Sequence, residues 1–143
     1  MLCVAFSSLS FSDDSLYLTY CAQCHQKSGD GLAGQFPRLT GRFSEAQDSA
    51  LLRDYMIKVV MYGQAGRMVV DGQAIIGEMP ALGLSDEEIA SVLDTVAQLG
   101  VDTDSKSGIF SVNELAKVRA AGKMFPSELS TLRKQLVSDN ILP

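Results

Sequence analysis

The chain has 143 residues, a mass of 15.4 kDa and a formal net charge of −5, the size of one ordinary domain with room for a tail. It contains no run of 18 or more apolar residues, so nothing in it reads as a membrane-spanning helix. The negative charge is concentrated: Asp71, Glu78, Asp86, Glu87, Glu88, Asp94, Asp102 and Asp104 lie between Met68 and Ser105 with no lysine or arginine among them, which argues against nucleic acid and for a partner with a basic docking surface.

Residues 1–11, Met1 to Phe11, are apolar or small, and the first basic residue is Lys27. They read as the remnant of a secretory segment whose charged start is missing, which would make the mature protein an exported one. A short helix is expected next, from Asp13 or Asp14 through Leu16, Tyr17 and Tyr20 into Cys21-Ala22-Gln23-Cys24-His25. Cys-x-x-Cys-His is the attachment motif for a c-type haem: on a helical turn the two thiols share one side, each able to form a thioether. His25 is the only histidine of the chain. A closed zinc site would need a fourth soft ligand, for which only Cys3 remains. A thioredoxin-like disulfide would need a strand and a βαβ unit around the motif, where the pattern is helical. Tyr17, one turn before Cys21, can pack near the attachment site.

A loop rich in glycine follows, Ser28 to Leu39, able to approach a flat cofactor closely. Ser44 is expected to open a second helix, with Leu51, Leu52, Tyr55, Met56, Val59 and Val60 on one face and Gly63 at its end. Asp71-Gly72, between Met68-Val69-Val70 and Ala74-Ile75-Ile76, predicts a small hairpin. Ser85 and Glu88 form a capping box for a third helix carrying Ile89, Val92, Leu93 and Val96, with Gly100 as its stop. Residues 12–100 thus read as one domain. A polar linker covers 101–108, and 109–143 form a helical extension packed on the domain or on a partner. In that extension Ser111–Arg119 and Phe125–Arg133 repeat at an offset of 14 residues, which predicts an antiparallel helical pair.

With one histidine, a haem iron takes its sixth ligand from methionine, water or a weaker donor. Met56 and Met61 serve a helix face, Met68 sits in the hairpin and Met124 in the tail. Met79 stands in Gly77-Glu78-Met79-Pro80-Ala81-Leu82, read as an irregular loop able to project a thioether at a fixed point. Taken with Cys-x-x-Cys-His, this Met-Pro loop before the last core helix resembles the class I mono-haem cytochromes c that serve periplasmic dehydrogenases and terminal oxidases. The resemblance covers about residues 13–100. It implies an all-α class I cytochrome c fold wrapped around one covalent haem c, with a small hairpin before the methionine ligand. It further implies His25 and Met79 as axial iron ligands, Cys21 and Cys24 as thioethers, and a Pro37 carbonyl that accepts a hydrogen bond from His25. Tyr17, Phe36, Leu39, Met56, Val60, Ile76 and Leu82 are candidates for haem packing, and Arg38, Arg42 and Arg67 for its propionates. The function the resemblance implies is one-electron transfer between redox proteins by a soluble protein of a bacterial periplasm, without enzymatic activity. Two alternatives stand beside it: a cytochrome subunit or regulatory domain of a larger oxidoreductase, and a haem sensor or enzyme with an open distal site. A peroxidase is disfavoured because no second histidine exists to act as acid or base.

Overall fold

The computed structural model describes residues 14–102 and 108–143. The export segment expected over residues 1–11, Cys3, Asp13 as a helix cap and residues 103–107 of the expected linker lie outside the described residues.

The order of elements is α1 (Asp14–Tyr20), α2 (Ala22–His25), a 3-10 turn (Ser44–Gln47), α3 (Ala50–Tyr62), β1 (Gln64–Val70), β2 (Gln73–Met79), α4 (Asp86–Gln98), α5 (Val112–Ala120) and α6 (Pro126–Ser138). The described chain is mostly helical, with one antiparallel two-stranded sheet. α4 begins with the predicted capping box: the Ser85 hydroxyl accepts from the Glu88 amide at 3.2 Å, and the Glu88 carboxylate accepts from the Ser85 amide at 2.8 Å. Its stripe of Ile89, Val92, Leu93 and Val96 is buried against Leu52 and Ile57 of α3 and Tyr17 of α1 in one hydrophobic core.

Three local expectations change. Ser44 opens only the 3-10 turn. α3 is capped by Ser49, whose hydroxyl accepts from the Leu52 amide, because Ser49 directly precedes the helical run and can reach its free amides. The hairpin is longer than Met68–Ile76, pairing Gln64 with Met79 and Val70 with Gln73 around Asp71-Gly72. Both turn residues have positive φ, 51° and 75°, as a tight two-residue hairpin turn requires. Met79 is therefore the last residue of a strand and not part of an irregular loop. The ladder stops there because Pro80 has no amide to donate. Finally, the two tail helices do not form an antiparallel pair. α5 lies on α4 and α3, while α6 lies across β1 and α3 and runs on to Ser138.

The apolar faces of the tail join the existing core: Phe110, Leu115, Val118, Leu129, Leu136 and Leu142 are all buried in it. Each fully buried leucine stabilises by about 1.5–3 kcal/mol, so this segment is a structural part of the fold. The Asp94 carboxylate on α4 fastens its start, accepting from the amides of Gly108 at 2.7 Å and Phe110 at 3.0 Å.

Candidate functional site

Cys21 breaks α1 from α2 without ending the helical path: the Cys21 amide donates to the Tyr17 carbonyl, and the His25 amide to the Cys21 carbonyl, both at 2.9 Å. The motif is thus one helical turn, with Cys21 buried, Cys24 exposed and no disulfide between them. Burial pushes the Cys21 thiol up to about 11, with the nearby Cys24 adding to the effect. Tyr17 lies behind this turn, fully buried, its hydroxyl donating to the Gln26 carbonyl at 2.8 Å.

The chain then folds back over the histidine. The Gly31 amide donates to the His25 carbonyl at 2.9 Å, the Leu39 amide to the Gly29 carbonyl at 2.7 Å, and Leu32 and Phe36 form an isolated bridge. This brings the Pro37 carbonyl to 2.8 Å from His25 Nδ1. A carbonyl can only accept, so Nδ1 carries the proton and Nε2 is the nitrogen with a lone pair to offer a metal. Burial lowers the imidazole's affinity for a second proton, and the Pro37 bond works in the other direction.

His25 and both cysteines line a cavity of about 470 Å³. Phe36, Pro37, Arg38, Leu39 and Arg42 continue its wall from the loop, Tyr55, Met56 and Val60 from α3, and Val92, Leu93 and Val96 from α4. The hairpin and the segment after it add Gln64, Met68, Val70, Ile75, Ile76, Glu78, Met79 and Leu82. Of the methionines weighed as ligands, Met56, Met68 and Met79 are on this wall, and Met61 and Met124 are not.

Two sequence candidates fall elsewhere. Tyr17 braces the motif from the core side instead of facing the cavity, and Arg67 lines only a smaller cavity between β1 and α6, which shares Gln64, Met68 and Arg133 with the main one. Arg38 and Arg42 do line the main cavity, and both are joined to Asp71 at the hairpin turn: Arg38 Nε at 2.8 Å and Arg42 Nη1 at 3.2 Å. Sequence reasoning missed Arg133 and Leu142, which reach the cavity from the tail. A signal was present, since Leu129, Arg133 and Leu136 share the buried face of α6, and an arginine on an apolar stripe needs a polar destination.

Two thiols on one helical turn, a neutral imidazole with its spare nitrogen held by a carbonyl, and an apolar cavity bounded by further methionines make a donor set that fits a covalently attached haem. The class these features define is the c-type cytochromes. Residues 14–94 match the family described as cytochrome C oxidase, cbb3-type, subunit III. The chain is also 36% identical over 132 residues to a cytochrome c-552 of Thermus thermophilus, covering 90% of this chain and 88% of that protein. A second Thermus thermophilus cytochrome c-552 is 36% identical over 128 residues, 87% of this chain and 97% of the relative. The chain belongs to this family of mono-haem c-type cytochromes, carries haem c and serves electron transfer with redox protein partners. Among the described residues, no helix is long and apolar enough to cross a membrane.

Proposed function

We propose that the protein is a one-electron carrier whose haem is held by Cys21 and Cys24 through thioethers and ligated by His25 and Met79, acting between respiratory-type redox proteins in a periplasm. The observation that carries this reading is His25 Nδ1 donating to Pro37 while Met79, at the end of β2, lines the same cavity. When bound, the haem supplies the one-electron iron couple. The chain's residues do the rest. Pro37 fixes the imidazole plane and raises its basicity. The strand pairing of Met79 with Gln64 fixes the thioether's backbone. Leu39, Val60, Leu82 and Leu93 keep water from the cavity. With His25 and Met79 holding the iron, no position would remain for a substrate, and methionine ligation with burial would raise the potential. The ferric absorption spectrum tests this: the methionine-to-iron band should be present in the wild type, lost in Met79→Ala and kept in Met68→Ala. A band that survives Met79→Ala would move the ligand to another methionine of the wall, and a wild type without the band would favour the sensor or enzyme reading.

The acidic stretch takes on a narrower role. Asp71 and Asp86 are in ion pairs with arginines, Glu88 is in the capping box and Asp94 holds the tail. Glu78, on the cavity wall, together with Glu87 and Asp102, remains to steer a basic partner. Electron-transfer rates should fall as ionic strength rises, and a flat response would remove the steering. The second reading, a subunit of a larger oxidoreductase, is favoured by the oxidase-subunit description of the matched family. Co-purification of an oxidase with the native protein would select it.

A further inference from the structure

The cavity wall carries more positive charge than the fold itself uses. Arg42, from the loop after the cysteine motif, and Arg133, on α6, are only 7% and 8% exposed, and both line the cavity. Burial lowers the Arg42 guanidinium's hold on its proton, and the like charge of Arg133 adds to that effect. The carboxylate beside them, Asp71, is exposed and already shared. Arg38 takes both its oxygens, each at 2.8 Å, and Arg42 Nη1 lies 3.2 Å from one of them. Arg42 Nη2 donates to a main-chain oxygen of Pro143. Arg133 makes one long bond, Nη2 to the Val69 carbonyl at 3.5 Å, although a guanidinium offers five N–H donors. Glu78, the other acid on the wall, is exposed and pairs with neither arginine. Tyr55, which faces both, donates to Gln64 Oε1 at 2.6 Å and is pushed up to about 12 by burial, so it supplies no negative charge.

Arg38 and Arg42 share the Asp71 carboxylate and Arg42 also bonds Pro143, whereas Arg133 has no carboxylate partner among the described residues, which leaves its charge unmatched at a largely buried wall. Such charge is costly unless anions join it. Haem carries two propionates, and an arginine fork binds a carboxylate with two parallel hydrogen bonds. We propose that Arg133, with Arg42 on the same wall, takes the haem propionates, so that Arg133 makes α6 part of the cofactor site. Arg38 acts one step removed, as the residue that positions Asp71. The proposal rests on the attached haem and not on which residue occupies the iron's sixth position, so the methionine band reports on that question separately.

The test uses the holoprotein with three substitutions. Arg133→Gln keeps an amide donor for the Val69 carbonyl and removes the charge, Arg133→Lys keeps the charge, and Arg67→Gln is the control in the neighbouring cavity. Two quantities are read: the midpoint potential between about pH 5 and 8, across which a released propionate would titrate, and hydrogen exchange of the α6 amides. In Arg133→Gln the potential should become pH-dependent across that window, and α6 should exchange about tenfold faster or more, the scale of a lost charged hydrogen bond. Arg133→Lys should restore the wild-type pH profile, and Arg67→Gln should match the wild type. An unchanged pH profile in Arg133→Gln overturns the proposal. So does faster α6 exchange that is the same in the Gln and Lys variants, which would make Arg133 a packing residue alone. Haem loading that fails for Gln and succeeds for Lys supports the charge requirement, and failure of both counts against it.

Discussion

The cysteine side of the cavity is one continuous stretch, from Tyr20 to Phe43, whereas the hairpin side is assembled from residues some sixty positions apart. On the first side the bonds around the histidine run between near neighbours, Tyr17 to Gln26, Gly31 to His25, His25 to Pro37 and Leu39 to Gly29, while its far end, at Gly41 and Arg42, reaches Leu99 and Pro143. On the second, Ser130 donates to the Ala65 carbonyl and Arg133 to that of Val69, tying α6 to β1. A local scaffold holds its geometry with little help from the rest of the fold, while a long-range wall depends on everything that packs behind it. The attachment turn and the histidine sit on the first kind and the methionine on the second. Asp71 joins the two, since it stands at the hairpin turn and binds Arg38 and Arg42 of the cysteine side.

The largest effect should come from the packing behind the hairpin wall. Leu129 is completely buried, and Leu129→Ala should cost about 2–5 kcal/mol in denaturant unfolding of the holoprotein. The covalent haem should stay attached throughout, because thioether bonds do not depend on the packing behind the hairpin.

A pair of glycines sharpens the contrast. Gly31 has φ 66°, and a Cβ there would stand 2.6 Å from the Pro37 carbonyl oxygen and against that of Phe36. Gly63 has φ 80°, and its Cβ would stand 2.6 Å from the Met79 carbonyl oxygen and 2.9 Å from the Ala81 amide. Each alanine substitution should cost about 1–3 kcal/mol from strained backbone. Gly63→Ala should weaken the methionine-to-iron band and leave the histidine's resonances near their wild-type positions in the NMR spectrum of the reduced protein. Gly31→Ala should do the reverse. Equal disturbance of both proposed ligands, His25 and Met79, by either change would mean that the two sides are not independent.

The smallest effect belongs to the bridge. The hydrogen bonds from Arg38 hold the Asp71 carboxyl below the usual carboxylate range. A carboxyl depressed in the folded state adds stability above its unfolded pKa and loses it as pH falls through the folded value. Because Asp71 is 45% exposed at its side chain, the contribution is less than about 1 kcal/mol. Stability measured from about pH 5 down to 2 should fall more steeply in the wild type than in Asp71→Asn.

The same division explains what could be read from the sequence. The cysteine motif, the Ser85–Glu88 capping box and the Asp71-Gly72 turn are local chemistry, and each carries its own signal within a few residues. The start of α3 misleads because Ser44 and Ser49 both precede apolar periodicity, and only Ser49 has its hydroxyl at the first free amides. Met79 reads as loop because its ladder partner, Gln64, lies fifteen residues earlier, beyond any local pattern. Proximity along the chain points to Arg67 over Arg133, yet it says nothing about which strand face or which helix closes a cavity. The tail helices look like each other, but each has its apolar face on a different neighbour.

The placement of Arg133 and Leu142 in the cavity wall has a consequence in time. A chain emerges from its amino-terminal end, so Cys21, Cys24 and His25 are exposed more than a hundred residues before Arg133 and Leu142 exist. The cofactor can therefore be joined to the early turn while the far side stands open, and α6, made later, shuts it in.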